Sequence, residues 1–215
     1  MYSNNMAHLI LVRHGKSEYN KKGLWTGWTD VSLVEEGLED ARRAGEAIKH
    51  IHIDAVHVSD LKRTHETWRE IQNVIARPDL TAKEDAALKE RSYGIHTGKN
   101  KWEVKEHVGE DEFMKIRRSW DYPIPDGETM KDVHNRAVPY YETHILPELK
   151  MGKNVLVVGH GNTLRAMVKY LEKMSDDGVS DLEFGLGEVY VYDVNEKGEI
   201  VGKKILAANE QRGKV

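Results

Sequence analysis

The sequence predicts an α/β protein, three layers in the order α/β/α around a mostly parallel but mixed central sheet. Three observations predict it. Leu9-Ile10-Leu11-Val12 is an uninterrupted apolar run that stops at Arg13-His14-Gly15, and Val155-Leu156-Val157-Val158 repeats the pattern before Gly159-His160-Gly161. Runs of this length ended by Gly read as buried parallel strands feeding a loop. Stretches with helical spacing alternate with further strand candidates, which calls for helices on both faces of a sheet. Residues 189–194 and 200–207 read as two strands joined by a turn over 195–198, and such a hairpin makes the sheet mixed.

The elements follow in order. Residues 20–30 read as loop, with Gly23 and Gly27 around Trp25 and Trp28. Backbone free of Cβ atoms can approach a ligand closely. Ser32 stands three residues before Glu35, a capping-box spacing, and predicts a helix to about residue 49 with Leu33, Leu38, Ala41, Ala44, Ala47 and Ile48 inward. Ile53 to Val58 predicts a second strand, with Ser59-Asp60 as cap of a helix over 61–75 that Arg77-Pro78 ends. Arg63 lies in its first turn, where the helix dipole disfavours a cation and an anionic ligand would resolve the conflict. Residues 86–90 read as strand or irregular, and 101–120 as helix broken near Gly109. Residues 129–149 read as a long helix that Pro139 kinks or restarts. A last helix is expected over 163–173.

The 215 residues fit a single domain, 1–215, with a loose extension over 1–6 and a mobile tail over 208–215. A net charge of −4 argues against a nucleic-acid or membrane-surface partner. No apolar run approaches the roughly 18 residues a span needs. With no Cys there is no thiolate nucleophile or Cys zinc site, and a cytoplasmic setting is expected. No pair among the 11 histidines has helix-type spacing beside a carboxylate, so no metal is expected.

If the two His-Gly strands are neighbours, His14 and His160 share one crevice at the carboxyl ends of the strands, where open α/β sheets bind ligands. A neutral His is a competent nucleophile. Arg13 and Arg63 suit a phosphoryl acceptor, because guanidiniums pair with phosphate oxygens and stay charged. A protonated His160 would add charge. A carboxylic acid must protonate the leaving oxygen, and Glu90 is the candidate. Lys101, Arg117 and Arg118 would capture a second anionic group.

An ordered series of motifs resembles the histidine phosphatase superfamily, and within it the cofactor-dependent phosphoglycerate mutases. Leu11-Val12-Arg13-His14-Gly15-x-Ser17-x-x-Asn20 looks like a phosphohistidine loop. Trp25-Thr26-Gly27-Trp28, Ser59-x-Leu61-x-Arg63, Glu90-Arg91-x-Tyr93-Gly94, Gly98-x-Asn100-Lys101 and Arg117-Arg118-Ser119 follow. His160-Gly161-Asn162-Thr163-Leu164-Arg165-Ala166 closes the set. The resemblance implies that His14 is phosphorylated, that Arg13, Arg63 and His160 hold the transferring group with Gly161 and Asn162, and that Glu90 is the acid and base. It implies that Ser17, Asn20, Thr26, Gly27 and Tyr93 contact a phosphoglycerate, together with Lys101, Arg117, Arg118, Gly161 and Asn162. It further implies 2,3-bisphosphoglycerate as primer, no metal, and a part in glycolysis and gluconeogenesis. The partners implied are small phosphoglycerates, with a homo-oligomer left open. The chain departs from the pattern at Lys16, where Glu is common, at Ile95-His96-Thr97, and at residues 185–189, where a Gly-Val-Pro segment is common. The competing expectations are a phosphatase acting on small phosphate esters and a catalytically dead binding module.

Overall fold

The computed structural model describes residues 6–207. The expected tail, 208–215, and all of the expected extension except Met6 lie outside them. One six-stranded sheet carries the fold. Its strands are β1 (Ala7–Arg13), β2 (Ala55–Val58), β3 (Ala82–Glu84), β4 (Val155–Gly159), β5 (Val189–Val194) and β6 (Ile200–Leu206). Their order is β3-β2-β4-β1-β5-β6. The first four strands in chain order run parallel, and β5 pairs antiparallel with β1 and with β6. The sheet is therefore mixed, as expected from the closing hairpin.

Alternation along the strands sorts their side chains onto two faces. Leu9, Leu11, Val155, Val157, Tyr190 and Tyr192 point to one. There they meet helix α6 (Met130–Tyr140), α7 (Leu146–Lys150) and α8 (Gly161–Leu171). Ile10, Val12, Val56, Val58, Leu156, Val158, Val189 and Val191 point to the other, against α2 (Glu35–Ile48) and α3 (Lys62–Val74). Helices on both faces make the three layers. Two antiparallel helices, α4 (Lys101–Val108) and α5 (Glu110–Arg118), break at Gly109 and pack around Trp25, Tyr93 and Phe113 in a smaller cluster of their own.

Several boundaries moved for identifiable reasons. Ser32 does not cap α2. Leu33 donates its backbone N–H to Glu66 Oε2 at 2.6 Å and bridges to Ser17, so the chain stays extended to Val34, the actual N-cap. The capping box lies earlier. Ser17 and Asn20 exchange side-chain and backbone hydrogen bonds and start a short helix, α1 (Glu18–Lys21), within the stretch expected to be loop. The 86–90 segment is a 3₁₀ turn, Ala86–Leu88, and the strand beside it is β3. The long helix runs through Pro139, widens to a π turn over Tyr141–Ile145 and restarts as α7. Pro139 has no N–H for the helix ladder, the local condition for such a widening. A short helix, α9 (Asp176–Asp181), carries no apolar periodicity and was not foreseen.

Candidate active site

Register alone brings the two histidines together. Arg13 sits opposite Gly159 in the parallel β1–β4 pair, and His14 N–H donates to the Gly159 carbonyl at 3.0 Å. The next residue on each strand is then a histidine. The His14 and His160 rings lie 5.1 Å apart at their centroids, with planes crossed at 62°. Both are buried.

Each ring has a determined tautomer. His14 Nδ1 lies 2.7 Å from the carbonyl oxygen of Gly15, which can only accept, so Nδ1 carries the proton and the lone pair is on Nε2. Arg63 Nε donates to His160 Nδ1 at 3.2 Å, so His160 carries its proton on Nε2 and donates to Ser59 Oγ at 2.7 Å. Burial first, then the charges of Arg63 and Arg13, holds the His14 pKa well below its usual value. Burial and then Arg63 do the same to His160. The expected protonated His160 is therefore corrected for the ligand-free molecule: it is neutral, and its Nδ1 is taken by a guanidinium.

Arg63 is fully buried. Its Nη2 donates to the Gly27 carbonyl at 2.9 Å and its Nη1 to the Thr29 carbonyl at 3.0 Å. Burial lowers its pKa to about 10 against the opposing pull of Glu90 and Asp30. The 20–30 loop thus wraps a cation with backbone oxygens, and Thr26 and Gly27 serve that loop rather than line the cleft. Ser17 and Asn20 are engaged in the α1 cap. Arg13 donates from Nη1 to the Phe184 carbonyl at 2.7 Å and lies across the start of α8. A Cβ on Gly161 would sit 3.3 Å from its Cζ, so the absence of a side chain there admits the guanidinium. The α8 N-terminus, with its positive dipole end, lies beside that guanidinium.

A cleft of about 500 Å³ opens beside this group; His14, His160 and Arg63 do not line it, but Arg13 and Gly161, the chain neighbours of the two histidines, do. Arg13, Glu90, Tyr93, Lys101, Arg117, Arg118, Gly161 and Asn162, all expected site residues, line it. Glu90 Oε1 accepts the backbone N–H groups of Arg91 and Asn162, at 2.8 and 3.1 Å. Lys101 is pulled down to about 7 by burial and then by Arg117 and Arg13. Arg118 pairs with Glu183. The rim is mixed, with Lys16 of the loop after β1 and Arg43 of α2 among Glu36, Glu39 and Asp40 of α2. The departure at 185–189 closes a turn onto β1: Gly187 N–H donates to the Arg13 carbonyl at 3.1 Å, and Arg13 N–H to the Glu188 carbonyl at 3.2 Å.

Three contributors escaped the sequence reading: Ser59, whose Oγ accepts from His160 as well as from the Leu61 N–H at the helix start; Glu183; and Arg165, which lines the cleft one helical turn beyond Asn162. The i, i+3 spacing of Asn162 and Arg165 on one helix was the available signal.

Residues 9–204 match the family model of the histidine phosphatase superfamily, branch 1. The chain belongs to this superfamily. A protein of Parvibaculum lavamentivorans named 2,3-bisphosphoglycerate-dependent phosphoglycerate mutase is 43% identical, over 94% of this chain and 97% of its own length. One of the same name from Bradyrhizobium diazoefficiens is 41% identical over 93% and 97%. Among solved structures, the fold matches Mycobacterial hydrolase 1 with a TM-score of 0.82 at 20% identity, covering 95% of this chain and 99% of that one. It matches a phosphoglycerate mutase from Bacillus anthracis with 0.74 at 24% identity, covering 92% of each. A mycobacterial glucosyl-3-phosphoglycerate phosphatase matches with 0.76 at 20%, covering 93% and 97%. The fold is phosphoglycerate mutase-like, and hydrolases share it.

Proposed function

We propose that this chain interconverts 3-phosphoglycerate and 2-phosphoglycerate through phospho-His14, as a cytoplasmic enzyme of glycolysis and gluconeogenesis. One observation carries the reading beyond phosphate-ester chemistry in general. Lys101, Arg117 and Arg118 line the same cleft as Arg13, Glu90 and Asn162. The transferring phosphoryl group occupies the histidine end, and these cations receive a second anionic group of the same small molecule. A substrate with a carboxylate and a phosphate fits that demand. The names of relatives about 40% identical over nearly the whole chain support the same substrate.

The chemistry follows from the tautomers. His14 Nε2 attacks phosphorus with its lone pair, the P–N bond forms and the P–O bond to the substrate oxygen breaks. Glu90 delivers a proton to that oxygen as it leaves. In the reverse transfer Glu90 takes the proton of the accepting hydroxyl, the new P–O bond forms and the P–N bond breaks. Starting from phospho-His14, the group passes to the free hydroxyl of a monophosphoglycerate, and the other phosphoryl group of the resulting bisphosphate then returns to His14 Nε2, so that the released monophosphate carries its phosphate on the other oxygen. Arg13 and Arg63 stabilise the equatorial oxygens throughout. As the dianion arrives, Arg63 turns toward it and His160 becomes able to hold a proton. The cations of the cleft suit 2,3-bisphosphoglycerate, which Arg13 would hold at the end next to His14 and Lys101, Arg117 and Arg118 would hold at the other. That molecule, when bound, supplies the group that primes His14.

Structural neighbours named as phosphatases support the second reading, hydrolysis of small phosphate esters. The assay is interconversion of the two phosphoglycerates with and without 2,3-bisphosphoglycerate, in the presence of a chelator, with free phosphate followed alongside. Stimulated isomerisation with little phosphate release is expected. Phosphate release without isomerisation moves the chain to the hydrolases.

A further inference from the structure

Arg165 is the most buried cation of the cleft wall outside the phosphoryl end, 4% exposed, and no catalytic step uses it. Its guanidinium forks. Nη2 donates to the Val179 carbonyl at 2.6 Å, which anchors it to α9, and Nη1 donates to Asn162 Oδ1 at 2.9 Å. Among the described residues its Nε has no partner. Burial first, and then the cations Arg118 and Arg91, pull its pKa down to about 9. A charge kept in so costly a place has to act on something.

The hydrogen-bond directions say on what. Arg165 can only donate, so Asn162 must turn its carbonyl oxygen toward it. The amide nitrogen then faces the other way, and Asn162 Nδ2 donates to the Tyr93 hydroxyl at 2.8 Å. That hydroxyl, now an acceptor from Asn162, has its own hydrogen left to give. Tyr93 lines the cleft with Lys101 and Arg117. We propose that Arg165 is a positioning residue that fixes the Asn162 amide and thereby makes the Tyr93 hydroxyl a hydrogen-bond donor to the second anionic group of the substrate. The proposal rests on the phosphoglycerate reading for the identity of that group.

The chain of donors Arg165–Asn162–Tyr93 points one way, and each link polarises the next. With the amide reversed, Asn162 would offer Oδ1 to Tyr93, and the hydroxyl would spend its hydrogen there. Tyr93 would then present lone pairs to an anion. Arg165 therefore biases the cleft toward an anionic oxygen at this point and against a neutral hydroxyl. It does this without touching the substrate.

The test compares binding of 3-phosphoglycerate and of orthophosphate by calorimetry in the full chain, in R165M, R165K, Y93F and R165M/Y93F. R165M should weaken 3-phosphoglycerate by about 10–100-fold, the range of a hydrogen bond to a charged group. It should leave orthophosphate within about twofold. Y93F should cost far less in R165M than in the parent chain. R165K keeps the charge but cannot reach Val179 and Asn162 together, so it should behave as R165M does. Equal losses for both ligands, additive effects of R165M and Y93F, or R165K binding like the parent would each overturn the proposal. A ligand-free readout separates it from the substrate assignment: the Asn162 side-chain amide protons should lose their protection from solvent exchange in R165M and R165K. If the parent chain does not prefer 3-phosphoglycerate to orthophosphate, the phosphoglycerate reading fails, and this exchange measurement alone decides the role of Arg165. Should R165M fold poorly, R165K carries the comparison.

Discussion

Glu90 Oε1 accepts the backbone N–H of Asn162 at 3.1 Å, and this bond helps tie the 90-loop to the first turn of α8, two residues beyond His160. Arg136 secures the same loop from the other side, donating to the carbonyls of Ala87, Lys89 and Glu90. The carboxylate is held by backbone, and one oxygen is left to face the cleft. Glu90→Gln keeps an acceptor for both N–H groups but has no proton to exchange. Turnover should fall by about 10²–10⁴-fold with little loss of stability. Near-normal kcat would remove Glu90 from the mechanism.

Lys101 should make capture of the proposed substrate pH-dependent. In the free protein it is held to about 7, so above that pH a growing share of molecules lacks the charge that attracts the second anion. Binding of an anion raises the Lys101 pKa and takes up a proton. KM for the phosphoglycerate should therefore rise with pH above about 7, and Lys101→Met should show a higher KM without that rise. A wild-type KM that stays flat from pH 6.5 to 8.5 would contradict the charge assignment.

Stability should fall on the acid side. His14, His160 and His57 all have pKa values lowered by burial from the unfolded value of 6.5. For a group whose folded pKa is depressed, the unfolded chain binds more protons, so stability is fully present above 6.5 and is lost as pH drops through the folded value. Each ring contributes a slope of up to about 1.4 kcal/mol per pH unit in that window. His57 lies on central strand β2 between the Tyr140 hydroxyl, 2.8 Å from Nδ1, and Glu148 Oε2, 2.9 Å from Nε2. Urea melts at pH 7.5, 6.0 and 5.0 should show a falling midpoint, and an unchanged midpoint would show that the rings titrate freely in the folded state.

Gly37 at the start of α2 meets the phosphoryl loop backbone to backbone. A Cβ there would lie 2.1 Å from the Lys16 carbonyl oxygen, and one on Gly15 would lie 2.0 Å from the Gly37 carbonyl oxygen. Neither backbone can yield without moving His14. Gly37→Ala should cost about 1–3 kcal/mol or more by overpacking, and should lower kcat in whatever protein still folds. Unchanged melting and activity would contradict the contact.

The strands, their parallel pairing and the two histidines at their ends were legible because apolar runs and glycines record them directly in sequence. The cations of the cleft were legible because their motif order is distinctive. Ser59 was not: the spacing of a helix cap and that of a hydroxyl serving a distant imidazole look the same until β2 and β4 are paired. Arg165 was not, because a basic residue on a helix ordinarily faces water, and only the packing of α9 against α8 buries it. Ser32 misled for the same reason in reverse. Its cap spacing was sound locally, but Glu66, 33 residues beyond Leu33, took the next backbone N–H.

In the proposed reaction His14 carries the phosphoryl group and hands it to a phosphoglycerate rather than to water. The most direct measurement isolates the protein after labelling with radioactive 2,3-bisphosphoglycerate, then mixes it with 3-phosphoglycerate or with buffer. An acid-labile label should form, be absent from His14→Ala, and appear in bisphosphoglycerate on mixing far faster than it appears as free phosphate in buffer. Label retained by His14→Ala, or released as phosphate at the same rate with and without 3-phosphoglycerate, would contradict it.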